Sequence, residues 1–251
     1  MTAEKIYDFL NEKFPINSAT EYDNVGFLIG DKTADVKSAV LALDLTDSAI
    51  NTAIENGANL IITHHPVIFD GIKSIKKGDT VYHLIENGIS VISMHTNLDI
   101  GENGVCDALA KALELESIKT VIGSDNMSFR EGVLKEYMSS DDFAAYVGRK
   151  LDTAVKYVGE STVKRVAVCG GSGSEYMFDA IRQGCDALVT AEVKHHLFIE
   201  AERLGFTLID AGHFPTEDTV IEPLCKMLSE KFPSVNFLTD HESAIKVCIN
   251  I

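Results

Sequence analysis

Eight histidines are spread over this 251-residue chain, and six of them fall in four short segments: His64-His65, His95, His195-His196 and His213. Carboxylates stand beside them, with Asp99 four residues after His95, Glu217 four after His213, and Glu192 three before His195. Imidazole nitrogen mixed with carboxylate oxygen suits Zn, Fe or Mn better than Ca or Mg. The absence of cysteine among these residues argues against a closed structural zinc site. Successive side chains of an extended chain point to opposite faces, and Pro66 holds His65 extended. The adjacent pair is therefore expected to serve two ions a few ångströms apart. Two such ions need a bridging carboxylate, for which Asp99 and Glu217 are available, and His213 supplies a third imidazole. A helical turn begun near Pro215-Thr216 would put His213 and Glu217 on one side. Spacing thus selects His64, His65, Asp99, His213 and Glu217 as metal ligands.

Taken singly, HHP and HxxxE are weak patterns; their setting strengthens them. Val36–Leu45 reads as a strand, Asp47–Asn56 as a helix closed by Gly57, and Leu60–Thr63 as a strand running into His64-His65-Pro66. Thr80–Asn87 reads as a helix closed by Gly88, and Ile89–Met94 as a strand that delivers His95 to Asp99. The second half repeats the order. Strand Val163–Cys169, helix Glu175–Gln183, strand Ala187–Thr190, helix Leu197–Leu204 and strand Phe206–Asp210 lead to His213. Glycine ends each helix, where the chain leaves in a left-handed conformation. Val36-Lys37 matches Val163-Lys164 and Gly57 matches Gly184, both 127 positions apart, while Gly88 and Gly205 are 117 apart.

This alternation predicts an α/β fold with mostly parallel sheets. Two similar α/β lobes are expected from an internal duplication. The lobes are placed at residues 1–124 and 125–251, joined near Gly123–Arg130, with no inserted third domain. The segment after about 213 is left free to pack back on the first lobe. Ligands of open α/β sheets bind at the carboxyl ends of strands, which is where the histidines gather. His83, inside a helix, and His241, in a polar stretch, lack that setting and read as structural or surface residues.

Hydrophobic residues make up 45% and charged residues 24%, an ordinary globular balance that excludes intrinsic disorder. The net charge of −16 argues against nucleic acid as a partner. It leaves small anionic substrates open, provided something local and positive, such as a metal, holds them. No run approaches the roughly 20 apolar residues of a membrane span, and the N-terminus reads as an acidic amphipathic helix rather than a signal sequence. Five cysteines without a CxxC fit buried thiols in a reducing compartment, so a cytoplasmic location is expected. Covalent catalysis has no supporting pattern, because Ser172 lacks a nucleophile-elbow setting. Gly170-Gly171-Ser172-Gly173-Ser174 reads first as a tight turn with Ser174 as helix cap, and second as a phosphate cradle. Asp23-Asn24 before Gly26 reads as a turn.

YDNVG, ITHHP, HTNLD, GGSGS, TAEVKHH and AGHFPTE occur here in an order that resembles the NGG-interacting-factor-three-like family, also called GTP cyclohydrolase I type 2 homologues. The resemblance runs from about Asp23 to Glu217. It implies a two-lobed protomer with a di-metal centre between the lobes, and a ring-shaped homohexamer built as a trimer of dimers. Carried over motif by motif, the ligands are again His64, His65, Asp99, His213 and Glu217, with Glu217 as bridge. The family often has GHYATE and TGE where this chain has Gly212–Glu217 and Thr190-Ala191-Glu192, and neither change removes a ligand.

The expected function is a metal-dependent hydrolase of a small nucleotide-like or phosphorylated substrate, holding two divalent ions per chain, Zn or Fe foremost and Mn admissible. His64 and His213 would hold one ion, His65 and Asp99 the other, and Glu217 both. His95, Glu192 and, more weakly, His195 are candidates for catalytic proton transfer or for orienting ligands. The alternative is a non-catalytic metal- or cofactor-binding chaperone or regulatory adaptor.

Overall fold

The structure, a computed structural model, describes residues 1–246. In chain order the elements are α1 (Ala3–Lys13), β1 (Gly26–Ile29), β2 (Ser38–Ala42), α2 (Asp47–Glu55), β3 (Leu60–Thr63), α3 (Thr80–Glu86), β4 (Ser90–Ser93) and α4 (Thr96–Ile100). Next come α5 (Val105–Ala112), β5 (Glu116–Ile122), β6 (Ser128–Ser139), α6 (Ser140–Lys150), β7 (Lys156–Val158), β8 (Thr162–Val168) and α7 (Met177–Arg182). The chain closes with β9 (Ala187–Thr190), α8 (His195–Arg203), β10 (Thr207–Asp210), α9 (His213–Glu217), α10 (Ile221–Lys231) and β11 (Asn236–Asp240).

The elements form two compact units: residues 1–102 with 221–246, and residues 103–220. The fold is mixed α/β with one sheet in each unit. The first sheet has the order β1-β4-β3-β2-β11. Its β11, β2, β3 and β4 run parallel, and β1 lies antiparallel to β4. All residues of β2, β3 and β4 are buried, as expected for central strands covered on both faces. Val40, Ile61 and Val91 pack there with Ile50 and Ala53 of α2 and Leu84 of α3. Thr46 caps α2 by accepting a hydrogen bond from the Ala49 amide at 3.1 Å, a contact worth about 1 kcal/mol.

The second sheet has the order β5-β6-β8-β9-β10-β7. Here β8, β9 and β10 are parallel, and β7 lies antiparallel to β10. The three parallel strands with an antiparallel strand beside the third therefore recur, β7-β8-β9-β10 answering β1-β2-β3-β4. Gly57, Gly88, Gly184 and Gly205 all have φ between 61° and 76°, so each closes its helix in the left-handed conformation.

The two units part elsewhere than at 124/125. Strand β5 pairs antiparallel with β6 and α5 packs against α9, so the chain belongs with the second unit from Asn103 onward. Gly123–Met127 is the turn of the β5–β6 hairpin, closed by the Gly123 amide donating to Met127 O at 2.7 Å, rather than a junction. From Ile221 the chain returns to the first unit, where β11 adds in parallel to β2 over five residue pairs.

Candidate metal centre

The strands of the first unit deliver three imidazoles to one place. His64 and His65 follow β3, and His95 follows β4 by two residues. Ring centroids lie 4.8 Å apart for His64 and His65, 5.2 Å for His64 and His95, and 5.4 Å for His65 and His95. One ligand nitrogen from each falls within 4.8 Å of the others. The adjacent pair thus converges rather than pointing to opposite faces. Regular alternation lapses after Thr63: the amides of both His64 and His65 donate to the same neighbouring segment, at Ala42 O and Leu43 O, and the Thr63 hydroxyl donates to His65 O.

The second nitrogen of each ring explains what the first can do. His64 Nδ1 donates to the carbonyl of Met94 at 2.8 Å, His65 Nδ1 to Asp44 at 2.7 Å, and His95 Nδ1 to Asp23 at 2.9 Å. None of these oxygens can donate, so each ring donates from Nδ1, which in a neutral imidazole makes Nε2 the acceptor. That is the tautomer a metal ligand needs, fixed by the outer hydrogen bond that usually accompanies one. The donor set fits a divalent ion of the N/O-preferring kind.

Helix α4 begins one residue after His95 and turns Asp99 back toward the strand ends. His64 Nε2 lies 3.4 Å from Asp99 Oδ1. Asp99 therefore faces His64, whereas the expected mechanism grouped it with His65. Asn97, fully buried on the same helix, donates to Phe14 O at 2.7 Å and ties α4 to the end of α1.

Asp23 and Asp44 are the residues that sequence reasoning missed. Asp23, with a fully buried side chain, accepts from His95 Nδ1, from the Thr96 amide at 3.0 Å and from the Thr96 hydroxyl at 2.6 Å. Burial pushes its carboxyl up, but the hydrogen bonds from His95 and Thr96 outweigh it and hold it at about 2. Asn24 beside it donates to Ile68 O at 2.6 Å and so anchors the segment that leaves His65-Pro66. The YDNVG turn is thus a clamp on two histidine segments. Asp44 carried a weak signal, an acid two residues past a buried strand.

In the second unit, α9 begins at His213 and places His213 Nε2 2.9 Å from Glu217 Oε2. The expected one-sided arrangement is present, with the turn starting two residues earlier than Pro215. Glu192 follows β9, has φ 53°, and accepts from His213 Nδ1 at 2.9 Å. Here too the far nitrogen of the ring is tied to a carboxylate. Glu217 is 3% exposed and packs under the Gly170–Gly171 turn. Gly171 has φ 58°, and a Cβ there would overlap Glu217 Oε1 and lie 3.2 Å from His213 Nε2. Glycine is required at 171 by both backbone and space.

The amides of Gly171 and Gly173 donate to Thr216 Oγ1 and Thr190 Oγ1, at 3.1 and 2.9 Å. Those donors close the turn and leave no cradle for phosphate at these two positions. His195 opens α8 and lines a 360 Å³ cleft with Lys156, Tyr157 and Phe198; its hydrogen-bonding shows no tie to His213 or Glu217. His83 lies in α3, and His241 pairs with Glu222 at 3.0 Å.

The sequence profile of the Duf34/NIF3 (NGG1p interacting factor 3) family matches residues 1–244. The chain belongs to that family. A Clostridium acetobutylicum protein named GTP cyclohydrolase 1 type 2 homolog is 32% identical, over 89% of this chain and 89% of its own. A Staphylococcus aureus hypothetical protein of known crystal structure is 30% identical, with a TM-score of 0.92 over 99% of each chain. Reduced HcgD from Methanocaldococcus jannaschii, also 30% identical, gives 0.80 over 95% of this chain and 97% of that one. Among the described residues of the NIF3-family chain, no helix is long and apolar enough to cross a membrane.

Proposed function

We propose that this NIF3-family protein is a metal-dependent hydrolase holding two divalent ions. One observation carries the reading: His64, His65, His95 and His213 each have Nδ1 bound to a carbonyl or carboxylate, the outer hydrogen bond that usually accompanies a metal-ligating imidazole, while Nε2 of His64 and of His213 lies against the carboxylates of Asp99 and Glu217. In this reading His64 and Asp99, 3.4 Å apart, would hold one ion, His65 and His213 the other, and Glu217 both. The name borne by the Clostridium acetobutylicum relative supports a nucleotide-like substrate.

Two bound divalent ions supply Lewis acidity and a hydroxide at neutral pH. The chain's own part is to hold ligands still and to handle protons. Asp23, Asp44 and Glu192 fix the tautomers of His95, His65 and His213. His95, with a ring nitrogen within 4.8 Å of those of His64 and His65, would move a proton to or from the substrate. The ring-shaped hexamer belongs to the same proposal and would give about 164 kDa (6 × 27.4 kDa) in a light-scattering measurement.

The test is turnover of a panel of nucleotides and phosphoesters by zinc-, iron- and manganese-loaded protein. Metal-dependent hydrolysis of at least one compound is expected; saturable binding without product favours the chaperone or adaptor reading instead. Asp44→Asn replaces an obligate acceptor with a group that can turn a donor toward His65, a ligand in this reading. It is expected to lower the affinity for metal, read by competition with a chelator, by about 10- to 100-fold. Unchanged retention would separate Asp44 from the site.

A further inference from the structure

The 360 Å³ cleft that His195 lines takes no part in the chemistry above. One wall is β7, with Lys156, Tyr157 and Val158; the other is the approach to α8 and its first turn, with Val193, His195 and Phe198. The volume falls within the range usual for sites of small organic molecules, about 300–1,000 Å³. Tyr157 and Phe198 contribute aromatic rings, and Val158 and Val193 add aliphatic surface. None of the six lining residues is acidic, and Lys156 and His195 bear nitrogen donors. In a chain of net charge −16 such a lining is unusual.

One buried carboxylate ties both walls together. Lys156 stands opposite Asp210 in the β7–β10 ladder, and its Nζ lies 3.7 Å from Asp210 Oδ2. The Val193 amide donates to the same oxygen at 3.4 Å. An ammonium has three donors, so Asp210 fixes the Lys156 head and leaves donors over for a ligand. Tyr157 is held at its far end, where its hydroxyl donates to Asp141 Oδ1 at 2.8 Å. Walls fixed in advance lose little freedom when a ligand enters.

The cleft also neighbours His213. Glu192, which accepts from His213 Nδ1, directly precedes Val193 in the chain. Asp210 Oδ1 accepts from the amide of Gly212, the residue before His213, at 3.1 Å. The segments that line the cleft are therefore the ones that hold this imidazole.

We propose that this cleft binds a small molecule made of a planar aromatic ring and an anionic group, either a carboxylate or a phosphate. The rings of Tyr157 and Phe198 take the aromatic part. Lys156 and His195 donate to the anion, and contacts of this kind to a charged acceptor are the stronger hydrogen bonds. A neutral aromatic molecule would leave both nitrogen donors to water, and a bare anion would forgo the apolar walls. The site goes beyond the metal reading and does not depend on it.

The test titrates full-length protein, with and without added zinc, with naphthalene-2-carboxylate and with adenosine 5′-monophosphate. Binding is followed by proton NMR at the Cε1–H of His195, assigned as the signal missing from His195→Gln. At least one probe is expected to shift that signal saturably in both preparations, with a Kd of about 1 mM or tighter. The tighter of the two identifies the anion as carboxylate or phosphate. The Lys156 side chain is 80% exposed, so Lys156→Gln removes its charge without disturbing the core, and is expected to weaken binding about tenfold. Phe198→Leu keeps apolar bulk, removes the ring, and is expected to cost about fivefold. Naphthalene-2-carboxamide, the same ring without the charge, should bind about tenfold more weakly than the carboxylate. No saturable shift at His195 with either probe overturns the site. Equal binding of the carboxamide, or full affinity in Lys156→Gln, overturns the choice of an anion; full affinity in Phe198→Leu overturns the choice of an aromatic ring. Binding that needs zinc and leaves His195 unmoved places the probe on the ion and overturns the cleft.

Discussion

Glu217→Ala is expected to abolish metal-dependent turnover and to weaken metal binding by more than the roughly 10- to 100-fold that loss of an outer hydrogen-bond partner costs. The carboxylate is 3% exposed, lies 2.9 Å from His213 Nε2, and fits under a glycine turn with no room for adjustment. No neighbouring side chain can replace it, since Glu192 is already engaged with His213 Nδ1. Gly171→Ala should reproduce much of the loss without touching a ligand, because the added methyl overlaps Glu217 Oε1. Both effects are read as metal per chain after dialysis against a weak chelator. Full retention by Glu217→Ala would remove the bridge from the account.

The second large effect concerns stability. Arg130, 2% exposed, donates from Nε to Asp107 Oδ1 at 2.7 Å and from Nη2 to Asp107 Oδ2 at 3.1 Å. Such a two-pronged pair is strong, and removing one member strands a buried charge. Asp107→Ala is expected to cost about 3–5 kcal/mol, read as a fall in melting temperature of about 6–20 °C at some 2–4 °C per kcal/mol. Replacing both residues, as Asp107→Ala with Arg130→Met, should recover most of that loss. Equal melting temperatures for wild type and Asp107→Ala would contradict the assignment of Arg130 and Asp107 as a stabilising pair.

What could be read from the residues follows from how local each signal is. Strands β3 and β9 begin and end where their apolar runs do, at Leu60–Thr63 and Ala187–Thr190, and glycine marks the ends of four helices. The HHP, HTNLD and GHFPTE segments stood out because their residue types are rare and follow buried strands. Glu217 and His213 meet across one helical turn, a spacing any sequence displays. Asp23 did not stand out, since its partner His95 is 72 residues away and nothing between them announces the contact. Asp44 was hidden in the same way behind 21 residues. The convergence of His64 and His65 contradicted the alternation rule because the chain stops being a regular strand after Thr63. The β5–β6 hairpin was misread as a junction, since its turn carries the glycine and polar residues that a linker would also carry. Strand β5 is mostly exposed, so it lacks the continuous apolar run that betrayed the central strands.

The most direct measurement is the metal content of the purified chain, determined by mass spectrometry of the elements after reconstitution with zinc or ferrous iron, beside His64→Ala. The account predicts two ions per wild-type chain and a loss of at least one in the variant, whose ring is the most buried of the four. A chain that holds no metal after reconstitution, or a His64→Ala variant that holds as much as the wild type, would contradict it.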